Sequence, residues 1–212
     1  MAGKTTERRQ REYNDTRQRI LTAAREIATE EGWRNVTLRK IADRIEYTHP
    51  ALYSFFKDKD DLLRALLRDG FKQLEAEMNA ALDRASGPAE GLHKICEAYL
   101  AFAFSKPELY QVMYGLDGAP FGADRTGDEG LTIGAVTAKA IQAFDPDHLL
   151  DEATVQQRVY LLWCATHGNV SLVMAGRITP EYSKALQEQA LADTVALIAA
   201  DLQKSLFKLE DL

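Results

Sequence analysis

The sequence predicts an all-α protein of two helical domains, and three observations predict it. Apolar residues recur at helical spacing along almost the whole chain. No stretch sustains the every-second-residue alternation of a half-buried strand. Glycine and proline clusters, among them Ser86-Gly87-Pro88 and Asp145-Pro146-Asp147, cut the pattern into pieces of helical length.

The first piece carries the stripe Ile20, Ala24, Ile27, Ala28 and stops at Gly32. A shorter one, Leu38, Ile41, Ala42, Ile45, opens at Thr37, whose hydroxyl suits a helix N-cap. Thr48 begins a third, with His49 and Pro50 in a first turn where a missing N–H costs nothing. Its apolar residues are Ala51, Leu52 and Phe55. Asp58 caps a long fourth helix striped by Leu62, Leu63, Leu66, Phe71, Leu74, Met78 and Leu82. The first domain is therefore assigned to residues 1–57 and the second to residues 58–212. In the second, helices are expected over residues 89–105, 108–114, 131–143, 150–175 and 180–207. Five glycines and Pro120 within residues 115–130 read as a mobile surface loop.

Composition narrows the class. In 212 residues, 46% apolar and 27% charged, there is a globular core and neither a disordered chain nor a disulfide scaffold. Cys96 and Cys164 are too few for a disulfide framework and fit a reducing compartment. The N-terminus has no apolar signal region, and the longest apolar runs, 98–104 and 159–165, are far short of a membrane span. A cytoplasmic protein without a membrane partner is expected.

The net charge of −6 hides an uneven distribution. Residues 1–70 hold 15 Lys/Arg against 12 Asp/Glu, and the remainder 11 against 20. Residues 4–25 alone hold seven basic and three acidic side chains. A basic arm on an acidic body fits a local anionic partner; a solvated, frayed terminus fits the same charges.

Two helices joined by a short turn within a three-helix unit form the arrangement of a helix-turn-helix, in which the N-terminal residues of the second helix enter the major groove. Thr48, His49, Pro50 and Ala51 hold that position. Hydroxyls and cations around them, Arg39 included, suit phosphate contacts, and Thr37 can offer its hydroxyl and nearby free N–H groups to a phosphate. A plain three-helix packing unit has the same periodicity.

The residues add more. Val36-Thr-Leu-Arg-Lys-Ile-Ala-Asp-Arg, followed by Thr48-His-Pro-Ala-Leu-Tyr-Ser-Phe-Phe-Lys-Asp-Lys-Asp-Asp-Leu-Leu, closely resembles the N-terminal domain of TetR-family transcriptional regulators over residues 17–67. The resemblance implies that Thr37 contacts phosphate, that Thr48 to Ala51 read bases, and that the Tyr53 hydroxyl and Lys57 ammonium hold the DNA backbone. One position departs from the family pattern: Glu46 stands where the turn usually has glycine.

Trp163-Cys-Ala-Thr-His167-Gly168 resembles the Trp-His-Gly signature of one class of TetR-type ligand domains. Trp163 and His167, four apart, share a helix face that is expected to be interior, with Gly168 admitting a neighbouring helix or ligand. With Tyr99, Phe102, Tyr110, Met113 and Phe144 they are the expected ligand-lining set; the same residues also suit a helical core. His93 with Cys96 and Cys164 with His167 have metal-ligand spacing, but the helices are strongly apolar and no metal is expected.

The last helix contains Ala190-Leu-Ala-Asp-Thr-Val-Ala-Leu-Ile-Ala-Ala, which is apolar nearly all round and must be covered on two sides. One side suits its own domain and the other a second subunit, in a four-helix interface about a twofold axis; a central helix wholly within the monomer has the same pattern. Val155, Leu162, Leu191, Val195, Leu197, Ile198 and Leu202 are the expected dimer contacts. No nucleophile motif, phosphate loop or catalytic pair is present, so no enzyme and no cofactor are expected. The reading is a homodimeric repressor that binds palindromic double-stranded DNA and is released by a small, mostly apolar effector. Its rivals are a DNA-binding regulator without a small-molecule effector, and an α-helical binding protein or enzyme.

Overall fold

A computed structural model describes the backbone of residues 2–116, 118–119 and 129–210, and the side chains among them except 2–5, 129, 180, 183–188, 190–191 and 205–210. Among the described residues every regular element is helical, as the periodicity predicts. The elements are α1 (Ala2–Glu31), a single 3-10 turn (Trp33–Asn35), α2 (Leu38–Arg44), α3 (His49–Leu52), α4 (Lys59–Leu82), α5 (Pro88–Ser105), α6 (Pro107–Tyr114), α7 (Glu129–Gln142), α8 (Glu152–Met174) and α9 (Pro180–Glu210). Most of the expected loop over residues 115–130 lies outside the described residues.

Two compact units form, Met1–Gly70 with Glu108–Thr126, and Phe71–Pro107 with Gly127–Leu212, so α4 gives its first half to one and its second half to the other. In the first unit α1 packs on the 3-10 turn and α2, and α2 on α3. Ile20, Ala24, Ile27, Trp33, Ile41, Leu52, Phe56, Leu62 and Leu66 fill the core. α6 belongs to this unit. The Trp33 indole Nε1 donates to the Glu108 carbonyl at 2.8 Å, and the Arg25 guanidinium donates Nε and Nη2 to Glu108 Oε1 at 2.9 and 2.7 Å. The Glu108 side chain is 12% exposed, which shields this pair from water and strengthens it relative to a surface bridge.

In the second unit α5 packs on α7, α8 and α9, and α8 on α7 and α9. Leu92, Ile95, Tyr99, Phe102, Ile141, Leu162, Val170, Val195 and Leu202 are buried there. Asp145, 3% exposed, turns the chain after α7: its carboxylate accepts from the Leu149 and Leu150 backbone N–H groups at 2.9 and 2.7 Å. Asp151 then caps α8 by accepting from Thr154 N at 2.7 Å, which holds its carboxyl below the usual range.

Candidate nucleic-acid interface

The helix-turn-helix is built from caps. Thr37 is the N-cap of α2, its Oγ1 accepting from Lys40 N at 3.2 Å. At the other end the Tyr47 N–H bonds to the Ala42 carbonyl at 2.9 Å and the Glu46 N–H to that of Asp43 at 3.4 Å. This is the double closure of a Schellman motif, and it requires a left-handed residue at Glu46, whose φ is +59°. Glutamate thus adopts the conformation glycine usually supplies, and the turn is kept at a cost in strain.

α3 is a single turn, shorter than the sequence stripe implies, and the chain continues in turns to Phe56, whose N–H reaches the Leu52 carbonyl at 3.0 Å. Leu52 and Phe56 are buried and anchor it. Thr48 has the extended backbone of an N-cap, but its hydroxyl makes no capping bond. Thr48, His49, Pro50 and Tyr53 are exposed and Ala51 is half-buried. The His49 and Tyr53 rings meet edge to face at 5.3 Å. Asp58 Oδ1 accepts from Asp61 N at 2.8 Å, and Asp61 Oδ2 accepts from Lys57 N at 3.0 Å, a reciprocal cap that fixes the backbone of Lys57 at the start of α4.

The cations of this unit divide into two groups. Lys40 pairs with Glu31, Arg44 with Glu30 and Glu26, and Arg25 with Glu108. Lys59 Nζ donates to the Trp33 carbonyl at 3.0 Å, and burial lowers its pKa. By contrast, the side chains of Arg39 and Lys57 near α3, like those of Arg9, Arg11, Arg34 and Arg64 elsewhere in the unit, are exposed and make no hydrogen bond or ion pair among the described residues. An unpaired cation on each side of the turn, with exposed hydroxyl and imidazole groups at the start of α3, is a surface complementary to a polyanion.

The other expected site residues divide between the two units, and one of them, Trp163, lies on the surface. Tyr99 and Phe102 are buried in the second unit, Phe144 is half-buried there, and Tyr110 and Met113 are buried in the first. Trp163 does not face an interior: it is 45% exposed, edge to face with Tyr160 at 6.3 Å. His167 is half-buried, tilted against Trp163 at 5.7 Å, with Nε2 3.3 Å from Ser171 Oγ, and burial lowers its pKa. A Cβ at Gly168 would meet nothing within 4 Å, so none of the described residues uses the close approach it permits. Cys96 is buried and Cys164 exposed, and desolvation pushes the Cys96 thiol up to about 12. Among the described residues no cluster of three or more His, Cys, Asp or Glu could hold a metal.

Of the expected dimer residues, Val155, Leu162, Val195, Ile198 and Leu202 are buried within the chain's own core. Leu197, at 72% exposure, faces out, and the side chain of Leu191 lies outside the described residues. An all-round apolar helix carries no mark of which side its own domain covers. The uncovered side is shown by other residues: Tyr160, Leu161, Trp163 and Leu172 on α8, none of which the apolar pattern singled out as interfacial. The Arg158–Asp201 ion pair ties α8 to α9 beside them.

The fold and these exposed groups define a helix-turn-helix protein, and comparison with known proteins identifies which kind. The model of bacterial regulatory proteins of the tetR family matches residues 20–66, and that of the tetracyclin repressor-like C-terminal domain matches residues 92–195. The chain belongs to the TetR family of transcriptional regulators, which are not enzymes. HTH-type transcriptional regulator UidR of Escherichia coli (strain K12) is 33% identical over 84 residues, 40% of this chain and 39% of that protein. The chain thus spans about two fifths of the length of the curated relatives it matches first. Among solved structures, the regulatory protein SCO4313 superposes with a TM-score of 0.73 at 25% identity, covering 88% of this chain and 98% of that one. The transcriptional regulator FadR from Bacillus subtilis, solved in complex with stearoyl-CoA, gives 0.65 at 17% identity, covering 87% and 96%, and shares the fold.

Proposed function

We propose that the chain is a cytoplasmic, homodimeric repressor that binds a palindromic operator and leaves it when a small, mostly apolar effector binds. The observation that carries DNA binding is the place of two exposed cations: Arg39 and Lys57 flank α3 with no ion pair among the described residues, while Lys40 and Arg44 of α2 are paired with Glu31 and Glu30. In this reading Thr37, Arg39, Tyr53 and Lys57 hold phosphates, and Thr48, His49, Pro50 and Ala51 meet base edges. Residues 1–57 supply DNA binding, and residues 58–212 effector binding and dimerisation. Two copies meet through the outward side of α8 and α9, where Tyr160, Leu161, Trp163, Leu172 and Leu197 are uncovered, setting two recognition helices about 34 Å apart.

The effector side rests on the buried Tyr99 and Phe102 of the second unit, aromatic side chains of the kind that lines apolar ligand sites. An effector releases DNA only by binding one arrangement of the dimer better than the other. Selection of duplexes from a random pool tests the DNA reading; the expected result is a palindromic consensus, and no enrichment would overturn it. Release of the selected duplex by a library that includes long-chain acyl thioesters, the class named for the FadR neighbour, tests the effector reading.

A further inference from the structure

The first turns of α1 have no core to face. Every described side chain from residues 6–15 is exposed, yet the helix is continuous from Ala2 to Glu31. A helix polar on all sides is not held by burial. Here the Arg8–Glu12 ion pair at 2.7 Å and the Gln10 amide donating to Asn14 at 3.1 Å brace it, and exposed pairs of this kind contribute little.

What fixes its direction is the next stretch of α1, which grips the chain on either side of α3. Thr16 Oγ1 lies 3.5 Å from the Tyr47 hydroxyl, and Arg19 donates to the Ile45 carbonyl at 3.1 Å. Tyr13 stacks on Phe55 with centroids 4.8 Å apart, and the Arg17 guanidinium lies 4.9 Å from the centre of the Phe56 ring. The helix therefore leaves the unit beside residues 53–57, which carry Tyr53 and Lys57. Arg9 is one turn before Tyr13 on the same face, about 6 Å further along the axis. Arg9 has no partner among the described residues, whereas Arg8 is committed to Glu12.

We propose that this helical extension is a second contact to the duplex, with Arg9 binding a backbone phosphate outside the half-site that α3 reads. The proposal rests on the DNA-binding reading above. Residues 2–12 extend about 16 Å beyond Tyr13, the length of about five base pairs. A membrane surface is disfavoured because residues 6–12 are Thr, Glu, Arg, Arg, Gln, Arg and Glu, with no large apolar side chain to insert.

The test uses the duplex selected by the full chain, made in two lengths: trimmed at the half-sites, and extended by six base pairs on each side. Arg9→Ala is expected to bind the extended duplex about fivefold to tenfold more weakly than wild type at 0.1 M salt, with a salt slope lower by about 0.9 per half-site contact. On the trimmed duplex the two proteins are expected to bind equally, and Arg9→Lys is expected to restore most of the loss. Equal binding of wild type and Arg9→Ala to the extended duplex, or an equal loss on both lengths, would overturn the proposal while leaving the DNA reading standing. Failure of the wild-type chain to select any duplex would remove both.

Discussion

The α2–α3 pair and the α8–α9 pair leave opposite things uncovered. Around α3 the exposed groups are Arg39, Lys57, Thr48, His49 and the Tyr53 hydroxyl, while the large apolar side chains Leu52 and Phe56 are fully buried. On α8 and α9 the Arg158–Asp201 ion pair is internal to the pair, and among the described residues the large apolar side chains left outside include Tyr160, Leu161, Trp163, Leu172 and Leu197. Unpaired charge is stable in water and becomes useful only against a polyanion, so the first surface is one that binds and releases. Exposed large apolar side chains cost free energy until covered, so the second is the surface on which the proposed dimer rests.

The sharpest way to break this comparison is to put charge on the second surface. Leu197→Asp is expected to dissociate the dimer, because an unpaired carboxylate in a desolvated contact costs several kcal/mol, raising the dimer dissociation constant by about a hundredfold or more. Its neighbour Ile198, 7% exposed, faces the chain's own core, so Ile198→Asp is expected to unfold the second unit. Sedimentation and circular dichroism separate the two outcomes. A folded, dimeric Leu197→Asp at micromolar concentration would place the interface elsewhere.

On the first surface the expected effects are smaller and differ in kind. Lys57→Ala removes a phosphate contact and should weaken binding by about 1 kcal/mol on all sequences, with a flatter salt dependence. His49→Ala, at the base-facing end of α3, should change the selected consensus. If the two variants select the same consensus with the same salt slope, the division between positioning and reading is wrong.

How much of this was legible depended on whether a residue's role is local. Helix starts at Thr37 and Asp58 follow from capping, which involves residues three apart, and the helix-turn-helix followed from motif residues within one stretch. Sidedness was harder. α1 before Tyr13 is polar all round and residues 190–200 of α9 are apolar nearly all round, and neither pattern has a stripe to align. Trp163 is expected inside from the Trp-His-Gly resemblance and the face it shares with His167, yet its exposure is decided by which face α5, α7 and α9 cover. Nothing near Trp33 in the sequence announces its bond to Glu108, 75 positions away.

Glu46 offers a smaller test inside the first surface. Its left-handed backbone closes the turn between α2 and α3 at a strain cost of about 1 kcal/mol that glycine avoids. Glu46→Gly is expected to raise stability by somewhat less, since glycine also loses more freedom on folding, and to bind duplex more tightly by removing a negative charge from the turn. Thermal melts and salt-dependent binding would register both. A less stable Glu46→Gly would mean that the glutamate side chain contributes more than its backbone costs.

The smallest effect is expected from His167, and it asks whether the second surface is covered. Burial already holds its pKa below the ordinary value of about 6.5, with the ring beside Trp163 and 3.3 Å from Ser171 Oγ. A partner subunit on this face would remove more water and favour the neutral ring further. The sign follows from linkage: the contribution is fully present above pH 6.5, and it is lost as pH falls through the depressed value, because the separated or unfolded chain takes up the proton more readily. Dimerisation should therefore weaken between pH 7.5 and 5.5 in the wild type. In His167→Gln, which keeps a hydrogen-bonding group but cannot titrate in that window, it should weaken less. Sedimentation equilibrium of both proteins at the two pH values measures the difference. An identical pH response would show that His167 stays as solvated in the assembled protein as it is in the single chain, and that the partner covers Leu197 without reaching it.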